Sequence, residues 1–334
     1  MSSAIETAGS AGRSRAVVTA TVAICCYTED RYGQLLSAVA SLRAQTRAPE
    51  QIVVVVDHND VLRARVRAEI GDMAGALVVA NRHEQGLSGG RNTAIDVATG
   101  DVVVFLDDDA AAEPTWLEVL LRHFDAPEVV AVGTAVTPRW ERGRPRWFPV
   151  EFDWVVGCTY RGMPTTAGPV RNPIGASMAL WRDAVRDSGG FRVDLGRIGT
   201  HPVGGEETEI CIRMVRDNAA ARIVMEPAVT VHHWVPAERA RFGYFRRRCV
   251  AEGLSKARIA RSMGRRASLS SERTYVRRVL PGAVRRELRA VLHGDPDGLL
   301  RAGAVVAGVV ATTVGYVRGL ALAHVRHGRS RVVT

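Results

Sequence analysis

The sequence of 334 residues predicts an α/β protein: a mostly parallel sheet flanked by helices, followed by a basic helical C-terminal region. Three observations carry that expectation. Strand-like apolar runs and helix-like apolar spacings alternate through the first 135 residues, the rhythm of βαβ units with right-handed crossovers. Residues 102–109, Val-Val-Val-Phe-Leu-Asp-Asp-Asp, read as a buried parallel strand that ends abruptly in three carboxylates. Charge is also divided along the chain. Residues 236–334 carry 21 Lys and Arg against 6 Asp and Glu, whereas residues 1–235 carry 24 against 29.

In order, Val17–Cys26 reads as a strand, and Leu35, Leu36, Val39 and Leu42 then fall at helical spacing. Ile52–Asp57 is an apolar run ending in a carboxylate, followed by helical spacing at Val61, Leu62, Val66 and Ile70. Ala76–Ala80 is a short strand. Ser88 is positioned to cap a helix carrying Ile95 and Val97 and closed by Gly100. After the triple aspartate, Pro114 marks a helix start with Leu117, Leu120, Leu121 and Phe124 on one face, and Val129–Val136 is the next strand. From about Arg139 to Pro173 the rhythm stops, in a long stretch rich in Trp, Phe and Tyr whose aromatic content speaks for function over disorder. Ala176–Trp181 resumes as a strand, Glu206–Val215 as a helix and Arg222–His233 as a strand or hairpin, and residues 238–263 form a basic helical stretch.

Three domains of character follow: a disordered lead-in at 1–15, an α/β body at 16–235, and the basic C-terminal region at 236–334. The lead-in lacks the apolar core of a signal peptide. Five scattered cysteines with no CxxC pair suggest neither zinc nor a disulfide framework, so the expectation is a cytoplasmic protein with reduced thiols. The basic region favours anionic lipid headgroups or phosphorylated acceptors; nothing in it resembles a nucleic-acid recognition motif. Within it, Ala302–Val317 has no charge and the apolar segment extends to 323. A bilayer span takes roughly 20 residues, so the segment is expected to lie on a membrane surface, with a packed helix or a span as the other options.

Three adjacent ionised carboxylates at a strand end repel unless something neutralises them. Hard oxygen ligands there suit Mg²⁺ or Mn²⁺, which commonly also bind phosphate oxygens. In open α/β sheets ligands bind outside the carboxyl ends of the strands.

The ordered set Cys26-Tyr27-Thr28-Glu29-Asp30, Val-Val-Val-Val-Asp57, Gly89-Gly90-Arg91-Asn92, Phe-Leu-Asp107-Asp108-Asp109, Gly189-Gly190-Phe191 and Gly205-Glu206-Glu207 resembles a family 2 glycosyltransferase. The resemblance covers roughly residues 18–235. It implies the GT-A fold, a Rossmann-like sheet, and inverting transfer from a nucleotide sugar. It implies that Asp109 holds the metal, that Asp107 contacts ribose or the metal, and that Asp108 belongs to the nucleotide-sugar site while pointing into the supporting structure. Asp57 resembles the aspartate that accepts a hydrogen bond from uracil. Tyr27 and Glu29 resemble the nucleotide-cradling loop, and Arg91 a contact to base or diphosphate. Where the family has Glu-Asp, this chain has Glu206-Glu207; on that register Glu207 is the general base and Glu206 the reserve. A histidine near the end of the domain commonly completes the metal shell, and His233 is favoured over His232. Trp147, Phe148, Trp154, Arg171 and Asn172 are candidates for acceptor contacts.

The expected activity is therefore metal-dependent (Mn²⁺ or Mg²⁺) inverting transfer from a nucleotide sugar, UDP-linked by preference. The expected acceptor is a hydroxyl of a lipid-linked saccharide at the cytoplasmic face of the membrane. A soluble natural-product aglycone is the alternative acceptor, and a catalytically silent nucleotide-sugar binder or membrane scaffold the alternative class.

Overall fold

The computed structural model describes residues 17–197, 204–264 and 270–330. The lead-in expected at 1–15 lies outside them.

The first half is the expected alternation: β1 (Ala20–Cys26), α1 (Tyr32–Arg43), β2 (Gln51–Val56), α2 (Asp60–Ile70), β3 (Ala76–Ala80), α3 (Leu87–Val97) and β4 (Val102–Leu106). These strands pair in parallel in the order β3-β2-β1-β4. Their apolar runs are continuous because both faces are covered. Val22, Ile24, Val54 and Val104 join one buried layer, and Ala23, Val53, Val55 and Phe105 the other. Helix α3 starts at Leu87 behind Gly86, and Ser88 does not cap it: its hydroxyl donates to Leu195 O at 2.7 Å. The helix ends before Gly100, whose missing side chain makes room for β1; a Cβ there would lie 2.5 Å from Thr21 N.

Beyond β4 the sheet becomes mixed. A three-residue strand, β5 (Ala110–Ala112), follows the triple aspartate, then α4 (Trp116–Arg122), β6 (Val129–Trp140), β7 (Gly168–Pro169), β8 (Ser177–Trp181), α5 (Arg182–Asp187), α6 (Glu206–Asp217) and β9 (Arg222–Val235). Strand β8 runs antiparallel to both β4 and β6, β9 parallel to β6, and β5 antiparallel to β9.

The basic region is helical: α7 (Phe242–Met263), then α8 (Ser270–Thr274), a π turn (Tyr275–Val279) and α9 (Leu280–Leu292), and finally α10 (Asp297–Ser330). Helices α7 and α10 cross closely at glycines. A Cβ on Gly253 would lie 2.1 Å from Thr312 O, and one on Gly315 would lie 2.0 Å from Val250 O. Gly308 lies against Phe152 and Phe245, so the inner face of α10 is seated on the body. Its outer face leaves Val306, Val310 and Val317 more than half exposed, at 53%, 56% and 57%. By length and composition alone, Asp297–Ala321 is apolar enough to cross a membrane.

Candidate active site

Strand β4 delivers Asp107, Asp108 and Asp109 to the carboxyl edge of the sheet, where the chain turns directly into β5. Pairing of β5 with β9 sets Ala110 opposite His233. That register brings His233 Nε2 to 3.0 Å from Asp109 Oδ1 and 4.0 Å from Asp107 Oδ2. The ligand atoms of Asp107, Asp109 and His233 all lie within 4.8 Å of one another. Two carboxylate oxygens and an imidazole nitrogen, converging at a strand end, form a donor set that fits Mn²⁺ or Mg²⁺. His232 faces the other way, with Nδ1 at 3.0 Å from Thr137 Oγ1.

The alternation expected at the triple aspartate holds: Asp108 turns away from the trio. Arg31, in the loop before α1, reaches Asp108 Oδ2 at 3.0 Å and Asp109 Oδ2 at 2.8 Å. Burial raises the Asp108 carboxyl to about 8, with Arg31 opposing. Asp109 is buried too, but His233, Arg239 and Arg31 more than offset burial and hold it well below the usual carboxylate range. On the far ring nitrogen, Cys158 Sγ lies 3.8 Å from His233 Nδ1.

One cavity of about 1180 Å³ joins this edge to the other acids, with Asp107, Arg91, Glu206 and Glu207 in its wall. Glu206 and Glu207 open α6 after Gly205, whose φ of 99° favours glycine. Arg91, expected at a base or diphosphate, lies in the cavity wall but is ion-paired within the protein. The side chain is buried between the rings of Phe105 and Phe191, donating to Glu206 Oε1 at 3.0 Å and Gly175 O at 3.3 Å. Glu207 lies beside this pair. Burial, then the Glu206 charge, raises its pKa to about 8, and its Oε2 has no hydrogen-bond partner among the described residues.

The residues expected at the nucleotide end lie around the ends of β1 and β2. Asp57 Oδ1 accepts from Asn81 Nδ2 at 2.7 Å and Oδ2 from Gly86 N at 2.9 Å, which fixes the turn into α3. Tyr27 is exposed beneath the Arg31 guanidinium, and Glu29, also exposed, lies 4.0 Å from Arg65. Of the acceptor candidates, Trp154, Arg171 and Asn172 line the cavity. Trp147 and Phe148 do not: they pack with Phe245, and Trp147 also with Phe242, where the aromatic stretch closes onto α7. Arg31, Arg239, Arg197 and the cavity-facing Arg248 and Lys256 were not singled out by sequence. The only signal for Arg31 was its place directly after the Tyr-Thr-Glu-Asp run.

This fold is shared with solved nucleotide-sugar transferases. The Pyrobaculum calidifontis mannosyltransferase PcManGT, in complex with GDP-Man and Mn²⁺, superposes with a TM-score of 0.54 at 17% identity over 87% of this chain and 86% of its own. GalNAc-T7 with UDP, GalNAc and Mn²⁺ gives 0.53 at 17% identity over 72% of this chain and 48% of its own. The protein is a glycosyltransferase that uses nucleotide-sugar donors. More narrowly, it belongs to glycosyl transferase family 2, whose profile matches residues 21–189. It is 35% identical over 236 residues to the glucosyl-dolichyl phosphate glucuronosyltransferase of Haloferax volcanii, covering 70% of this chain and 75% of the relative. It is 29% identical over 299 residues to the succinoglycan biosynthesis protein ExoM of Rhizobium meliloti, covering 84% and 92%.

Proposed function

We propose that this enzyme is a metal-dependent, inverting transferase that moves a sugar from a UDP-linked donor to a hydroxyl of a lipid-linked saccharide at the cytoplasmic face of a membrane. The observation that carries the reading is the shared cavity: the wall that includes Asp107 of the Asp107/Asp109/His233 trio also includes Glu207. Asp107, Asp109 and His233 would hold Mn²⁺ or Mg²⁺, which when bound supplies Lewis-acid stabilisation of the departing diphosphate. Asp57, Tyr27 and Glu29 take the nucleoside end of the donor, and Asp108 with Arg31 braces the metal-holding turn. Glu207 removes the proton of the acceptor hydroxyl as its oxygen bonds to the anomeric carbon. The opposite bond, to the diphosphate, breaks with its electron pair on oxygen, so the configuration inverts and the proton stays on Glu207. Arg91, at 3.0 Å from Glu206 Oε1, holds that carboxylate in place beside the base.

A lipid-linked acceptor is supported by the name of the Haloferax relative and by the exposed valines of α10 beside a basic region. Trp154 and Asn172 offer contacts to its saccharide. The test is turnover of UDP-glucose and UDP-glucuronate onto a short-chain prenyl phosphate glucoside, with Mn²⁺ and with chelator. The reading expects Mn²⁺-dependent product of inverted anomeric configuration. Retained configuration, or full activity in chelator, contradicts it.

A further inference from the structure

The cavity of about 1180 Å³ is larger than the roughly 300–1,000 Å³ that a single small ligand commonly occupies, and its wall divides by chemistry. Charged groups enter from one set of elements: Asp107 from the end of β4, Arg91 from α3, Glu206 and Glu207 from α6, and Lys256 from α7. The π turn, the start of α9 and the middle of α10 add Tyr275, Val276, Val279, Leu280, Val309 and Tyr316. Among the described residues, these three elements give the cavity no charged side chain.

This uncharged wall runs from the interior to the surface. Leu280 is buried, Val279 and Val309 are half-buried, and Val276 is 47% exposed. Thr313 of α10, also in the cavity wall, is exposed in turn, on the helix face that carries the outward Val310 and Val314. Two hydroxyls on the wall are already committed to backbone carbonyls: Tyr275 Oη donates to Glu151 O, and Thr312 Oγ1 to Gly308 O at 2.9 Å. A buried sugar hydroxyl left without a partner is costly, whereas a hydrocarbon chain gains from such a wall. The wall is also held in shape. Tyr160 meets Tyr275 edge to face at 5.3 Å between ring centroids, and a Cβ on Gly162 would lie 3.1 Å from Val279 Cγ2. π turns inside helices are uncommon and concentrate at functional sites.

We infer that this uncharged wall binds the hydrocarbon chain of a lipid-linked acceptor, the segment next to its phosphate, and that the acceptor enters from the outward face of α10 with its saccharide leading toward Glu207. The inference rests on the transferase reading of this cavity. Arg277 and Arg278, exposed beside Val276, suit the anionic headgroups around an entering lipid.

The experiment measures binding of glucosyl phosphates esterified to methyl, dimethylallyl, geranyl and farnesyl groups, each below its aggregation concentration and with UDP and Mn²⁺ present. The proteins are the full chain, Val276→Ser and Val309→Ser. Melting midpoints verify that each variant is folded; Val276 is half-exposed, so its replacement empties no core site. Affinity is expected to rise with chain length, by up to about fourfold per methylene buried, and to level off once the wall is covered. Each Ser variant is expected to weaken the geranyl ligand about three- to tenfold while leaving the methyl ligand unchanged. Equal affinity at every length overturns the inference. So does a gain with length that both variants keep, because the chain then lies elsewhere. Turnover separates this site from the donor reading. A preserved length trend with no transfer from UDP-glucose or UDP-glucuronate leaves the chain site standing and rejects the UDP donor. Transfer to the methyl ligand with the same KM as to the geranyl ligand rejects the chain site alone.

Discussion

Glu207 combines a buried oxygen that has no hydrogen-bond partner among the described residues with a pKa raised to about 8 by burial and by Glu206. A base works only when deprotonated, so below that pH most molecules carry the proton that disables it. Accordingly kcat/KM should climb with pH, close to tenfold per unit well below 8, and level off above it. Glu207→Gln should cut kcat by about 10² to 10⁴ without weakening Mn²⁺-dependent nucleotide binding. A flat pH profile, or a variant defective only in binding, would count against Glu207 as the base. Arg91 belongs to stability: Arg91→Met leaves Glu206 buried without its partner, at a cost of about 3–5 kcal/mol measurable by denaturant unfolding. Single residues were unevenly legible in sequence. Asp107, Asp109 and Glu207 announce themselves because adjacent acids beside apolar runs need a reason. Arg31 and Arg239 do not, since a lone arginine gives no local sign of which distant carboxylate it will meet.

At the scale of elements, the first four strands and their helices were readable because continuous apolar runs and 3.6-residue spacings are local signals. Strand β5 was not: Ala-Ala-Ala after three aspartates has neither β-branching nor alternation, and only pairing with β9 makes it a strand. Yet its pairing with β9 is what sets His233, on β9, beside Asp109, so the metal trio was inferred from resemblance before geometry explained it. The cap expected at Ser88 failed for a similar reason, because its hydroxyl is claimed by Leu195 O, more than a hundred residues away. The α7–α10 crossing gives a direct test of helix packing. Gly315→Val pushes side-chain atoms into the Val250 backbone and should cost about 1–3 kcal/mol, or separate the two helices, read as a fall in melting midpoint. An unchanged midpoint would contradict the close crossing.

At the scale of the whole molecule, the acidic body and basic C-terminal region divide the labour. The body presents the Asp107/Asp109/His233 edge and Glu207, and the helices after β9 complete the cavity while leaving valines outward. If that outward face meets a bilayer, Val306→Ser with Val310→Ser should reduce binding to anionic vesicles, by about fivefold per valine. Binding should also weaken with added salt, as attraction to charged headgroups does. Equal vesicle binding by wild type and variant would move the membrane contact elsewhere. The central claim is narrower, that Asp107, Asp109 and His233 hold the cation that receives a nucleoside diphosphate. Its most direct test is thermal stabilisation of the wild type and of Asp109→Asn by UDP, with GDP and TDP beside it, each with and without Mn²⁺. Native-state binding raises the midpoint by mass action. The account predicts stabilisation by UDP that requires Mn²⁺ and disappears in Asp109→Asn; stabilisation that persists without Mn²⁺, survives the substitution, or is absent for all three nucleotides would contradict it.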